Sequence, residues 1–245
     1  MNPSPLISII IPTLQEEKLI GGTLDQFTSG LRQRYNLEII VSDGGSTDQT
    51  LPVARAKADV VIENGEGCPQ NISIGRNLGA QAARGEILMF FNADVRLADP
   101  ELFFRRMGSI ICDESVSAAT CNVRIDPDEE GTTDRLFHGF FNWYCRFLNE
   151  IGMGMGRGEC HVIRAEMFRR IGGYNTKMAA GEDYELFVRL RHTGRVHFDR
   201  TLTVYESPRR YRQLGYLSVI LLWFLNGLTA FAFHRSLVKS WKPVR

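Results

Sequence analysis

Three carboxylates stand where apolar stretches of the chain give way to polar ones. Asp94 follows ILMFF in FFNADVRL, Asp43 closes the apolar run in IIVSDGGSTDQT, and Asp183 opens GEDYELFVRLRHTG. A carboxylate in a tight turn after a buried strand can hold Mg²⁺ or Mn²⁺, hard cations that take oxygen ligands and bridge substrate phosphates. The same position suits an Asx turn or a helix cap. Asp43 can accept the ring N–H of a pyrimidine, with the glycines after it allowing close approach. A turn with Ser46, Thr47 or Asp48 as helix cap is the other reading of that stretch. Asp183, at the start of a helix, is the candidate general base, and Glu182 and Asp183 are also ordinary first-turn acids. Arg76 and Asn77, in GRNLGAQAARGE, can contact a nucleotide from a helix N-terminus, or Arg76 is simply an exposed helical residue. In combination these groups answer the needs of sugar transfer from a nucleoside diphosphate. The base must be gripped, the leaving diphosphate neutralised, the acceptor hydroxyl deprotonated and water excluded.

The elements that must position them alternate. Leu6–Ile11, Leu37–Ser42, Asp59–Glu63 and Glu86–Phe91 read as strands. Glu16 to Arg34, Asp48 to Lys57 and Asn71 to Arg84 read as helices. This alternation predicts an α/β fold with a mainly parallel sheet covered on both faces. Ligands gather at the carboxyl ends of such strands, and those ends carry Pro12-Thr13, Asp43-Gly44-Gly45 and Asn92-Ala93-Asp94. Further on, Asp99-Pro100 opens a helix toward Cys112, Ser117–Ile125 is extended and Asp126–Asp134 is a surface loop. Helices are expected over Thr133–Asn149 and from Glu182 to His192. Gly152–Gly158, with alternating glycines, reads as a mobile loop.

A chain of 245 residues suits one α/β domain with a small appendage, and its formal net charge of +1 does not suggest nucleic acid as a partner. The domain is expected over residues 1–206, with a nucleotide-binding half to about 98 and an acceptor half from about 99 to 206, and an apolar helical segment over 207–245. Five scattered cysteines without a Cys-x-x-Cys pair read as reduced thiols, and the N-terminus lacks secretory features, so a cytoplasmic location is expected. Leu214–Phe233 carries no charge and is flanked by Arg209, Arg210 and Arg212 before and Arg235, Lys239, Lys242 and Arg245 after. A helix packed on the domain or lying in a membrane interface, a single span, and a homodimer interface are the three readings of this stretch.

These stretches together resemble the family-2 glycosyltransferases of the GT-A fold. ISIIIPTLQEE resembles the family's opening strand, IIVSDGGSTDQT its base-binding second strand, and GRNLGAQAARGEILMFFNADVRL its Arg-Asn-x-Gly helix and metal motif. ECHVIRAEMFRRIGGYN and GEDYELFVRLRHTGR resemble the segment before the catalytic region and the Glu-Asp helix, in family order over about residues 6–206. The resemblance implies an inverting transferase for a nucleotide sugar, with UDP favoured over GDP and a sugar or lipid-linked acceptor. It implies that Pro12, Thr13 and Glu16 line the nucleotide pocket, Asp43 and Arg76 bind the base, Asp94 binds the metal and Asp183 is the base. Asn92 replaces the first acid of the family's Asp-x-Asp; Asn92 and Ala93 stay with the nucleotide, Asn92 through ribose or a metal-bound water. No Gln-x-x-Arg-Trp motif is present, which favours single transfer over polymer synthesis. Ser207-Pro-Arg-Arg-Tyr-Arg takes its place, with Arg209 or Arg210 toward the diphosphate. The late histidines His161 and His197 are further metal-ligand candidates, His197 reading more simply as a strand residue. A nucleotidyltransferase would need a Gly-rich basic loop after the first strand, which PTLQEEKLIGG does not supply. A binding protein without turnover is favoured only by Asn92.

Overall fold

Every residue of β1 (Ile7–Thr13) except Pro12 is buried, because both faces of this strand are covered. The computed structural model describes residues 6–64, 71–178, 180–221 and 223. Among them β1 pairs in parallel with β2 (Leu37–Asp43) on one side and β4 (Ile87–Phe91) on the other, Ile9 lying beside Ile39 and Met89. β3 (Val60–Glu63) extends this parallel half beyond β2. The other half is mixed. β7 (Cys160–Arg164) runs antiparallel to β4 and to β6 (Val116–Ile125), while β8 (Arg195–Glu206) runs parallel to β6 and carries the short β5 (Arg96–Leu97) at its edge. The strand order is β3-β2-β1-β4-β7-β6-β8-β5.

Strand alternation sorts the core into two layers. Ile9, Ile11, Val41, Met89 and Phe91 face α1 (Ile20–Asp25), α2 (Ser29–Tyr35), α3 (Thr50–Lys57) and α5 (Pro100–Cys112). Ile10, Ile40, Leu88 and Phe90 face α4 (Ile72–Ala82), α7 (Ala165–Arg170) and α8 (Glu182–Arg191). The long α6 (Thr132–Glu150) and the short α9 (Arg209–Leu214) meet in a third cluster of Ile125, Phe137, Tyr211 and Val219. Two helices start on the caps that their sequence predicts. Asn71 Oδ1 accepts from the Ile74 N–H and Asp99 Oδ1 from the Leu102 N–H, both at 2.9 Å, with Pro100 in the first turn.

Two expectations are corrected. The single helix over Glu16 to Arg34 is two. Its expected start is a loop whose N–H groups at Gln15, Glu16 and Glu17 donate to Ser46 Oγ, Thr50 Oγ1 and Asp48 Oδ2. Thr28 then caps a second helix, accepting from the Leu31 N–H at 3.3 Å. The glycine run 152–158 is a packed strap, not a free loop. Gly154 sits at φ +78°, and a Cβ there would fall 2.5 Å from the Phe187 carbonyl oxygen, so its glycines serve close approach to α8. Cys112, Cys121, Cys145 and Cys160 are free thiols, and Cys68 lies outside the described residues. Leu214–Phe233 is described only to residue 221 and at Trp223; the rest lies outside the described residues. Among the described residues no helix is long and apolar enough to cross a membrane.

Candidate active site

Strand direction gathers the polar groups at one edge of the sheet. β1, β2 and β4 end there with Pro12-Thr13, Asp43 and Asn92-Ala93-Asp94. Because β7 is antiparallel to β4, it begins at that edge: Cys160 pairs with Phe91, which sets Glu159 across from Asn92. β8 is parallel to β6 and ends there with Glu206, and the pairing of Arg96 with Tyr205 brings Asp94 toward the same point. Two cavities open along this edge. The first is lined by Pro12, Thr13, Glu16, Ser42, Gly44, Asn92, Ala93 and Asp94, with Glu159, Glu206, Arg209 and Arg210 opposite. The second is lined by Arg76, Arg157, Glu159, Glu182, Asp183 and Tyr184. Ile72, Asn92, Glu159, Arg210 and Trp223 line both, so the two adjoin.

Asp94 meets Arg209, whose Nη2 lies 2.7 Å from Glu16 Oε1 and 3.4 Å from Asp94 Oδ2. Burial raises the Asp94 carboxyl above its ordinary range, Glu159 adds to this, and Arg209 opposes it. Glu16 is also raised by burial. Its Oε2 and the Ser42 hydroxyl are buried without hydrogen-bond partners among the described residues, and both residues line the first cavity. Six carboxylates line the two cavities (Glu16, Asp94, Glu159, Glu182, Asp183 and Glu206) against the guanidiniums of Arg76, Arg157, Arg209 and Arg210. That excess of acid, with the under-partnered Glu16 carboxylate sharing Arg209 with Asp94, fits a divalent cation. Among the described residues no three acids, histidines or cysteines converge as a complete ligand set.

Asp43 is fully buried and spends both oxygens on its own turn and on Thr13 of β1. Oδ1 accepts from Thr13 and Ser46 hydroxyls at 3.0 and 2.6 Å, and Oδ2 from the Gly45 and Ser46 N–H groups at 2.9 and 2.7 Å. The neighbours Ser42 and Gly44, not Asp43, face the cavity. Arg76 is fully buried rather than on the exposed helical face that was its plain alternative. It donates to Glu182 Oε1 at 2.9 Å, Asn92 Oδ1 at 3.0 Å and the Gly158 carbonyl at 2.7 Å, tying the Asp94 turn to the glycine strap and to α8. Asn77 instead brackets the Tyr174 backbone, donating to its carbonyl and accepting from its N–H. Arg76→Met should cost about 3–5 kcal/mol of folding stability, since Glu182 is left buried without its cation. Urea unfolding with an unchanged midpoint would count against this role.

Asp183 lies at the N-terminus of α8, and burial together with Glu182 and Glu159 raises its carboxyl to about 8 against the pull of Arg76. His161 is buried against Phe187 with Nδ1 2.6 Å from the Tyr174 hydroxyl, and His197 lies within β8; neither lines the cavities. Arg157, Glu159 and Glu206 were missed at the sequence level. Arg157 Nη2 donates to Glu206 Oε1 at 2.9 Å, and burial with the nearby Glu159 pushes Glu206 well above the ordinary carboxylate range. Glu206 ends a strand as Asp43 does, a signal that was available. Glu159 precedes its strand, and only the antiparallel pairing of β7 brings it to the ligand edge.

Comparison with known proteins agrees with this architecture. The family model described as glycosyl transferase family 2 matches residues 8–172. Validoxylamine A glucosyltransferase of Streptomyces hygroscopicus subsp. limoneus is 33% identical over 100 residues, covering 40% of this chain and 22% of that protein. Glycosyltransferase AglE of Haloferax volcanii is 28% identical over 144 residues, 56% of this chain and 46% of that protein. The chain thus spans less than half the length of either of these relatives. A mannosyltransferase from Pyrobaculum calidifontis, solved in complex with GDP-Man and Mn²⁺, superposes with TM-score 0.67 at 20% identity, covering 89% of this chain and 63% of that one. Glucosyl-3-phosphoglycerate synthase from Mycobacterium tuberculosis, with Mn²⁺, UDP and phosphoglyceric acid, gives TM-score 0.58 at 19% identity over 92% and 78%. These likenesses establish the GT-A fold, a mixed and mainly parallel sheet flanked by helices. With two thirds of its length matched by the family model, the chain belongs to glycosyl transferase family 2.

Proposed function

We propose that the chain transfers a single sugar from a nucleoside-diphosphate sugar to an acceptor hydroxyl or lipid phosphate, by a metal-assisted inverting displacement. The observation that carries this reading is the adjoining pair of cavities, with Asp94 and Arg209 in one and the raised carboxyl of Asp183 in the other. Pro12, Thr13, Glu16, Asn92 and Ala93 form the nucleotide wall. Asp43 holds the turn that presents Ser42 and Gly44 to the base, and a base N–H would reach its carboxylate only by displacing Thr13 or Ser46. Arg76 acts from behind the wall by fixing Asn92, whose amide N–H₂ remains for ribose. Bound at Asp94, Mg²⁺ or Mn²⁺ would supply charge to the departing diphosphate. Arg209 and Arg210 flank the same place and neutralise it from the protein side. Asp183 takes the proton of the acceptor. UDP is our expectation over GDP, and a panel of UDP- and GDP-sugars with Mg²⁺ or Mn²⁺, read by release of nucleoside diphosphate, tests the whole reading. Binding of UDP without turnover across donors and acceptors would instead mark a protein that only binds.

We also place the acceptor side at the cytoplasmic face of a membrane. α6 exposes Leu136, Phe140, Trp143, Tyr144, Phe147 and Ile151 at helical spacing. Phe147, Trp143, Phe140, Phe141 and Trp223 follow one another with ring centroids 5.3 to 6.0 Å apart, ending at a residue that lines both cavities. Aromatic rings of this kind settle at headgroup depth, and the uncharged Leu214–Phe233 with its basic flanks points to the same anionic surface. The full chain should float with phosphatidylcholine–phosphatidylglycerol vesicles, and the triple substitution F140S/W143S/F147S should release it. If that variant instead converts a dimer to a monomer, with no flotation of the wild type, the face is a homodimer interface.

A further inference from the structure

Glu159 lines both cavities and is not explained by the nucleotide or the base. We propose that Glu159, steadied by Arg157, is the subsite for hydroxyl groups of the sugar being transferred; this rests on the transfer reading above. In an in-line displacement the leaving diphosphate, the reacting carbon, the acceptor oxygen and the base lie in that order. Asp94 and Arg209 mark the first of these places and Asp183 the last. Glu159 lines both the cavity that holds Asp94 and the one that holds Asp183, so it flanks the interval that the sugar ring must fill.

The chemistry of the side chain agrees. Glu159 is only 8% exposed, and its Oε2 has no hydrogen-bond partner among the described residues. Its contact with Arg157 is an ion pair at 3.4 Å from Nε, whereas Arg157 is anchored elsewhere, donating to Glu206 at 2.9 Å and lying 3.3 Å from His138 Nδ1. Arg157 is thus held by Glu206 and His138 as well, and Glu159, which it reaches through this long ion pair to Oε2, keeps acceptor capacity on its oxygens. A carboxylate offers acceptor sites only, which suits the O–H donors of a pyranose. A buried carboxylate short of hydrogen bonds costs stability in the free protein, and sugar hydroxyls supply what is missing.

The test uses Glu159→Gln in the full chain, which keeps the shape and removes the charge. Thermal unfolding should show a melting temperature equal to or above that of the wild type, because a repelling acid is gone. Calorimetry with UDP, GDP and Mn²⁺ should show diphosphate binding retained or tightened. With the donor that the wild type turns over fastest, kcat/KM should fall ~10–100-fold, the range expected for losing a charged hydrogen-bond acceptor. The decisive measurement repeats this with monodeoxy analogues of that donor. One analogue should lose turnover in the wild type and be nearly indifferent to Glu159→Gln. Equal losses for the parent and every deoxy donor would overturn the sugar subsite and leave the transfer reading standing. A wild type that binds no nucleoside diphosphate would overturn both.

Discussion

Asp94→Asn should abolish metal-dependent turnover, by about 10³-fold or more, while the protein stays folded. The size follows from the motif having one acid. Asn92 occupies the position of the first, and its side-chain oxygen already accepts from Arg76, so no second carboxylate on that turn can take over. Stability should not suffer. Burial already raises the Asp94 carboxyl, which means that the folded protein holds the charged form at a cost, and Arg209 keeps Glu16 as a partner at 2.7 Å. Circular dichroism and the melting temperature establish folding, and Mn²⁺ titration in the presence of UDP reads metal binding apart from turnover. Full activity in this variant would sink the metal assignment.

Asp183→Asn should lower kcat by ~10²–10⁴-fold, the range for removing a positioned general base. Its pH profile separates this from a structural loss. A base works deprotonated, so kcat/KM of the wild type should rise with pH, along a limb centred well above ordinary carboxylates and near the value of about 8 to which burial and its acidic neighbours raise it. The groups around it are Glu182, Glu159 and Arg76, with Tyr184 next in the chain. The Asn variant should lose the limb together with the rate. Stability moves the other way. Between the ordinary value of 3.8 and about 8 the folded protein binds a proton that the unfolded chain has released. Asp183 therefore makes folding less favourable as pH rises through that window. Asp183→Asn should melt above the wild type at pH 8 and close to it at pH 4. An Asn variant that retains both rate and limb would remove Asp183 from the chemistry.

Much of this arrangement was legible before any coordinates. The short, β-branched run stopped by Pro12 reads as a buried strand, and β1 is one. Asn71 and Asp99-Pro100 read as helix starts and are. Elements failed where distant side chains overrode local pattern. Glu16 and Glu17 look helical, yet their N–H groups are held by Thr50 and Asp48, more than thirty residues on, so the helix begins at Ile20. The glycines of 152–158 look like freedom and instead admit the Phe187 ring and backbone.

Local sequence specifies the parallel half of the sheet, its polar strand ends and the presence of Asp94 in a turn after a buried strand, because period, capping and turn chemistry act over a few residues. Tertiary structure alone decided how Asp94 is surrounded. Arg209 arrives from beyond β8, Arg76 reaches Asn92 from α4, and the reversal of β7 delivers Glu159 by the start of a strand rather than its end. Strand pairing and buried charge compensation join residues far apart in the chain, and no local pattern encodes which carboxylates share one low-dielectric edge.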